Sequence, residues 1–322
     1  LFLRFISIVS VAMTVFELPP TAPIAPLADP LLTARGVDVY MLRLEQTDAV
    51  LSGNKPFKLF PNLDVARSIG HGTVLSFGGA WSNHIHALAE AGRRFGFRTI
   101  GVIRGDDGMA PTNTLIFAKS CGMTLVPVSR QEYRRRHTQQ YIEELRQTHG
   151  DFYLIPEGGG NLEGVAGCQK LAQVVHRSLD GRRIDEIVLA CGTGTTLAGL
   201  VSGLHQQLET AKPFVRGIAV LKGAGFLNAD IRGWLDRLGT NMVADSWTLE
   251  TDFHCGGYGR CPPALLQFIK EFEHTHGILL DPVYTGKLMY AVHQRIELGL
   301  YQPGAQILVI HTGGLQGRAQ GV

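Results

Sequence analysis

From residue 37 onward the chain alternates short, continuously apolar β-type runs with longer stretches whose apolar positions recur at helical spacing. The short runs predict strands at 37–44, 73–77, 99–104, 124–128, 152–155, 184–190, 215–221 and 306–310. The longer ones predict helices at 83–95, near 112–120, across 131–148 as one polar helix, near 165–178 and over 197–204. Strands apolar on both faces, alternating with helices, imply parallel sheets covered by helices on both sides. No repeat, low-complexity tract or long linker interrupts the pattern. The cluster Gly158-Gly159-Gly160 marks a crossing between two units. The expected architecture is therefore α/β, with two three-layer α/β/α subdomains of mostly parallel strands. The smaller, 59–156, is inserted into a larger one made of 13–58 plus 157–322.

Composition narrows this little. The 322 residues are 45% hydrophobic and 18% charged, enough to bury a core. A formal charge of +2 gives no field that would hold nucleic acid. The triplet Arg134-Arg135-Arg136, flanked by Glu132, Glu143 and Glu144, reads as the solvated face of a helix. Five widely spaced cysteines (Cys121, Cys168, Cys191, Cys255 and Cys261) form no disulfide framework and point to a reducing, cytoplasmic compartment. Cys255 and Cys261 lack the spacing of a zinc site, and no metal is expected. The apolar run after Arg4 imitates a short signal peptide, but no small-x-small cleavage site follows it. Residues 1–12 read as an upstream extension, with the working protein beginning near Met13. The run is too short to span a membrane.

Candidate chemistry gathers where strands give way to helices, the place ligands occupy in open parallel sheets. Cys191-Gly192-Thr193-Gly194-Thr195-Thr196 follows an apolar strand and opens a helix. Its glycines let backbone approach an anion, and its free N–H groups and three hydroxyls suit a phosphate; an ordinary threonine-capped turn is the alternative. Gly78-Gly79-Ala80-Trp81-Ser82-Asn83-His84-Ile85-His86 puts Ser82 at the mouth of a helix, to cap it or to face a ligand. The two histidines, two residues apart, point to different sides and disfavour a shared metal. Leu51-Ser52-Gly53-Asn54-Lys55-Pro56-Phe57-Lys58 places two lysines in apolar flanks, where desolvation would turn an amine into a nucleophile or base. Tyr258 among glycines, Asp281-Pro282-Val283-Tyr284-Thr285-Gly286-Lys287 and His311-Thr312-Gly313-Gly314 complete the set. A non-catalytic phosphate- or nucleotide-binding protein would use the threonine loop alone. A hydrolase built on Ser82 with His84 or His311 would need an acidic partner and an oxyanion hole.

Taken in order from about Leu44 to Gly314, these segments resemble the pyridoxal 5'-phosphate (PLP) dependent family that contains D-cysteine desulfhydrase and 1-aminocyclopropane-1-carboxylate (ACC) deaminase. That family has the tryptophan-synthase-β-like fold, with PLP in the cleft between its two subdomains. The resemblance implies that Lys55 carries PLP as an imine and moves the Cα proton. Lys58 and Thr193, Gly194, Thr195 and Thr196 would hold the phosphate, and Asn83 the cofactor's 3'-oxygen. Ser82 would bind the substrate carboxylate or relay a proton, and Tyr258 and Tyr284 would flank the substrate. It also implies a homodimer and a small amino-acid substrate.

Two positions discriminate within the family. ACC deaminases typically have Glu after the tyrosine of Asp-Pro-Val-Tyr and Leu after the histidine of His-x-Gly-Gly. Here stand Thr285 and Thr312. A neutral threonine beside the pyridine nitrogen gives a weaker electron sink than a carboxylate, and expelling a thiolate from Cβ needs that sink less than opening a cyclopropane does. The expected reaction is thus α,β-elimination from a D-amino acid, best fitted by D-cysteine going to pyruvate, sulfide and ammonia, with ACC deamination as the alternative. Pro56-Phe57 between the lysines, the bulky Trp81 before Ser82-Asn83, and His84 in place of the deaminases' amide depart from the usual pattern and bear on substrate choice.

Overall fold

In the computed structural model, which describes residues 16–105, 110–207, 212–240, 243 and 245–318, the strands form two sheets. Numbered along the chain, the larger contains β1 (Ile24–Leu27), β2 (Asp38–Arg43), β7 (Glu186–Cys191), β8 (Phe214–Ala219), β9 (Trp247–Glu250) and β10 (Gln306–His311), in the order β1-β2-β10-β7-β8-β9. The smaller contains β3 (Thr73–Gly79), β4 (Arg98–Arg104), β5 (Thr124–Val128) and β6 (Tyr153–Ile155), in the order β5-β4-β3-β6. Every pairing is parallel except β1 with β2.

Each sheet is sandwiched, as strands buried on both faces require. On one face of the larger sheet, Leu32, Ile269, Phe272 and Leu288 bring in the helices Pro30–Arg35, Pro263–His276 and Thr285–Glu297. On the other, Val165, Val175, Leu200 and Ile231 bring in Leu162–Gln169, Leu171–Leu179, Thr195–Gln207 and Leu227–Arg237. The smaller sheet packs Lys55–Ser68, Asn83–Phe95 and Asn113–Ser120 on one side through Leu63, Leu88 and Leu115. Tyr141 and Leu145 of the helix Gln139–His149 cover the other side, against Leu75 and Phe77. This is the two-unit, three-layer α/β architecture expected.

Local departures have local causes. The helix expected over 131–148 is two: Arg130–Tyr133, then a 3-10 turn Arg134–His137, then Gln139–His149. Thr138 is extended, and its hydroxyl accepts from Tyr141 N at 3.4 Å, so it starts a new helix in place of continuing the old one. The arginine triplet therefore lies on the 3-10 turn and is not a plain solvated helix face. Arg136 reaches Glu157 at 2.9 Å and packs over the Tyr133 ring at 4.8 Å, and Arg135 pairs with Glu144. The segment near 165–178 is likewise two helices meeting at Lys170. The helix after β7 begins at Thr195, two residues before the expected start. Residues 1–12, read as an upstream extension, lie outside the described residues.

Candidate active site

The carboxyl ends of β2, β3, β7 and β10 deliver their following loops to one place, between the two sheets. The lysine turn sits at its centre. Gly53 has φ +71°, and a Cβ there would stand 2.2 Å from the Thr312 carbonyl oxygen, so only glycine brings the turn this close to the β10 loop. Gly53 N donates to Leu44 O at 2.9 Å and Asn54 N to Thr312 O at 3.2 Å. The chain then enters the helix at Lys55, with Pro56 in the first turn, where its missing N–H costs nothing.

Lys55 keeps part of its surface open to the cleft, yet the protein packed around its amine strips away solvent. Burial, with the neighbouring Lys58 charge, lowers its pKa from 10.5 to about 7; Asp281 and Cys168 oppose the fall only in part. Its Nζ donates to the side-chain oxygen of Asn54, whose amide nitrogen in turn donates to Thr196 Oγ1 at 2.9 Å. Asn54 thereby joins the lysine to the threonine loop across 142 residues of sequence. Lys58 lies one turn further on, buried, with its pKa lowered by the same desolvation and its Nζ donating to Gly158 O at 3.2 Å.

The threonine loop and the glycine cluster close over Lys58. Thr195 and Thr196 are buried in the first turn of their helix, and the Thr193 and Thr195 hydroxyls are 2.8 Å apart. A Cβ on Gly158 would reach 2.9 Å from Thr193 Cγ2, and one on Gly159 would come 3.0 Å from Lys58 Cβ and 3.6 Å from His84 Cε1. A buried ammonium, free amides at a helix start and hydroxyls now share one cradle. The glycine cluster, read from sequence as a crossing only, forms its roof.

On the smaller sheet's side, the Ser82 hydroxyl oxygen accepts from Ile85 N at 3.2 Å and caps the helix, leaving its proton free to donate. Asn83 Oδ1 accepts from Gln316 at 2.7 Å, and its amide nitrogen faces Gly314, where a Cβ would be 2.7 Å away. His84 is buried: its Nε2 is 2.9 Å from Ser76 Oγ, while its Nδ1 has no partner. Desolvation and the Lys55 and Lys58 charges lower its pKa to about 3, so the ring is neutral. His86 points away and stacks on Phe117 at 4.0 Å. Trp81 is 43% exposed and stands outside the cluster.

The opposite wall carries two tyrosines, Tyr258 and Tyr284, with ring centroids 6.1 Å apart and nearly perpendicular. Desolvation raises both phenols, Tyr284 the more strongly; Tyr258 is 41% exposed and its phenol is shifted through the end that faces Tyr284, and both stay protonated donors at neutral pH. Tyr284 also borders the cradle, since a Cβ on Gly192 would lie 3.3 Å from its ring. Asp281 fixes this wall. Its carboxylate accepts from the backbone of Val283, Tyr284 and Thr285, each at 2.9 Å, and from the Thr285 hydroxyl at 2.8 Å. Thr285 is thus buried with its hydroxyl tied to Asp281, and Thr312 is buried at the β10 loop.

Beneath that loop lies a pair that sequence reading did not assign. Glu45 binds Arg43 with one oxygen and stands 3.0 Å from His311 Nδ1 with the other, and His311 Nε2 donates to Leu279 O at 3.0 Å. Burial alone would raise the Glu45 pKa, but His311 and Arg43 outweigh it and leave it lowered. Asn54, Asp281 and Glu45 all sit inside or beside the motifs that the sequence highlights. Their partners lie far away along the chain, so spacing alone could not find them.

This site fits PLP on its own terms: an amine of lowered pKa for the aldehyde, an anion cradle containing a second lysine, and an unpartnered buried imidazole nitrogen between them. Comparison with known proteins agrees. A D-cysteine desulfhydrase of Yersinia enterocolitica is 29% identical over 290 residues, 87% of this chain and 87% of its own length. A mitochondrial bifunctional D-cysteine desulfhydrase/ACC deaminase of Arabidopsis thaliana is 29% identical over 296 residues, 88% of this chain and 73% of its own. The crystal structure of an ACC deaminase homologue superposes with a TM-score of 0.78 at 29% identity, covering 94% of this chain and 92% of that one. The profile of the pyridoxal-phosphate dependent enzymes matches residues 26–313, and the chain belongs to that family.

Proposed function

We propose that the protein catalyses α,β-elimination on a small D-amino acid, best fitted by D-cysteine, which with water yields pyruvate, hydrogen sulfide and ammonia. The observation that carries this reading is Lys55, a desolvated amine at the meeting point of the cleft loops, one helical turn from Lys58 and linked through Asn54 to the threonine loop. Desolvation lets such an amine give up its proton near neutral pH, so Lys55 would hold the cofactor and serve as base toward the Cα proton. PLP, when bound, supplies the electron sink for a carbanion at Cα. Lys58 and the helix start at Thr195, with Thr193, Gly194 and Thr196, hold its phosphate, and Asn83 its ring oxygen. Ser82 donates its free proton to the substrate carboxylate. The protonated Tyr258 and Tyr284 would flank the substrate, Tyr284 on the side of the cofactor. His84, fixed as a neutral ring, and Trp81 at the rim shape the substrate's approach.

Neutral hydroxyls at Thr285 and Thr312 support elimination of a good leaving group over cyclopropane opening. The domain division expected from sequence, 13–58 plus 157–322 with 59–156 inserted, is kept as part of this reading. So are a homodimer, on resemblance, and a cytoplasmic location, which the five free cysteines support. Among the described residues, no helix is long and apolar enough to cross a membrane.

The deciding experiment supplies PLP to the purified protein. It measures pyruvate release from D-cysteine, L-cysteine and D-serine, and 2-oxobutyrate release from ACC. Turnover of D-cysteine without ACC is expected. Turnover chiefly of ACC would overturn the assignment of Thr285 and Thr312.

A further inference from the structure

Away from the cleft, three side chains from three elements converge beside the helices on one face of the larger sheet. Asp29 precedes the helix Pro30–Arg35 and caps it with one oxygen, Oδ1, which accepts from Leu32 N at 3.0 Å. Its other oxygen, Oδ2, is buried and has no hydrogen-bond donor. It lies 3.6 Å from Nε2 of His276, the last residue of Pro263–His276, and 3.4 Å from Nε2 of His293, within Thr285–Glu297. His293 Nε2 is also buried without a partner. The Asp29 and His276 side chains are only 8% and 5% exposed. The rings are held from behind by aromatics: Phe272 lies 4.4 Å from His276, and Phe268 meets His293 edge-on at 5.0 Å.

A capping role explains one carboxylate oxygen and leaves the other unexplained. Charge-assisted N–H···O bonds run at about 2.7–2.9 Å, so the two imidazoles, at ion-pair separations of 3.6 and 3.4 Å, leave Oδ2 without a well-formed hydrogen bond. The separations instead resemble the edge of a tetrahedron of ligands around a zinc-like ion, about 3.4 Å for bonds of about 2.1 Å. All three ligand atoms lie within 4.8 Å of one another. Two imidazoles and one carboxylate form a donor set of borderline softness, suited to zinc, cobalt or nickel and not to magnesium or calcium.

We propose that Asp29, His276 and His293 bind one divalent transition-metal ion of the zinc class, its remaining positions filled by water. The ion ties the helix Pro30–Arg35 to the helix whose first turn holds Thr285, and takes no part in the reaction. The site needs no short motif, because its ligands come from positions 29, 276 and 293.

The test uses cofactor-loaded protein without an affinity tag, dialysed against micromolar Zn²⁺, with bound zinc measured by elemental analysis and thermal unfolding followed with Zn²⁺ and with EDTA. One equivalent per chain is expected, with a higher melting temperature in zinc. Asp29→Asn keeps the capping oxygen and should lose zinc affinity by more than ~100-fold, the upper end of what disturbing a ligand's outer partner costs. His293→Gln should do the same, with the visible absorbance of the cofactor unchanged in both. No zinc bound by the parent, or an equivalent bound undiminished by Asp29→Asn, would overturn the proposal. If His293→Gln fails to fold, Asp29→Asn alone decides, since it preserves the helix cap.

Discussion

Lys55 should make the apoprotein less stable than a version in which methionine takes its place, and the difference should depend on pH in a defined direction. The lysine's pKa is 10.5 in an unfolded chain and about 7 in the fold, so the folded state disfavours the ammonium by ~5 kcal/mol at 1.36 kcal/mol per tenfold. The sign follows from proton counting. Between about 7 and 10.5 the unfolded chain binds more protons than the folded one, so stability rises with pH across that window. The penalty is absent above the upper value, grows as pH falls, and is complete below the lower one. At pH 7 it amounts to ~4 kcal/mol and at pH 9 to ~2 kcal/mol, given the same two pKa values. Lys55→Met keeps the length and apolar stem of the side chain without the charge. Apoprotein made by hydroxylamine treatment and dialysis is unfolded in urea at both pH values. The variant's advantage should shrink by ~2 kcal/mol between pH 7 and pH 9. Packing differences between lysine and methionine cancel in that comparison. An advantage that is the same at both values, or that grows with pH, would refute the assignment of a desolvated amine.

Four further expectations concern the frame around that amine. Gly53→Ala places a Cβ 2.2 Å from the Thr312 oxygen at φ +71°. Left-handed strain of about 1–2 kcal/mol plus overpacking of about 1–3 kcal/mol should lower the melting temperature and weaken cofactor absorbance together; an unchanged spectrum would show that the turn tolerates displacement. Asp281→Ala strands three backbone amides and the Thr285 hydroxyl, and should cost about 2–4 kcal/mol in urea unfolding. Glu45→Gln leaves Arg43 without its carboxylate and should cost about 3–5 kcal/mol at pH 7. Because the Glu45 pKa is lowered in the fold from 4.5, its contribution is fully present above that ordinary value and fades as pH falls toward the lower folded one, so the gap to Gln should narrow only in acid, below pH 4.5. Ser82→Ala should retain cofactor absorbance while turnover falls at least tenfold; unchanged kinetics would leave Ser82 as a helix cap alone.

The strand-helix alternation was legible because buried parallel strands need continuous apolar runs, and these are hard to mimic by chance. Caps were legible less often. Thr138 accepts a backbone N–H and divides what reads as one polar helix, but a threonine inside a polar run looks like any surface residue. The outer strands β1 and β9 were not anticipated. Each has only four residues, and Pro26 in β1 resembles a loop. At the site, the sequence supplies Lys55, Lys58, Ser82, Asn83, the threonine loop and Tyr284 as segments. It does not supply the links between them. The hydrogen bond from Asn54 to Thr196 and the contact of Gly158 with Thr193 depend on how two distant βα turns face each other. The environment that lowers the lysine's pKa is likewise a product of packing.

The outermost strands bear on how this chain behaves when many copies are present at once. An exposed strand edge invites another backbone to add to it, unless something in the edge forbids pairing. Here β1 carries Pro26 and β5 carries Pro127, each of which removes a donor from its rim. The third rim, β6, has three residues and is followed at once by Pro156. The fourth, β9, has four and ends at Glu250, held by Arg216 and Arg295. Both sheets are thus blunted against uncontrolled growth by strand addition, and an interface between two copies would be built from helix and loop surfaces, where side chains choose the partner.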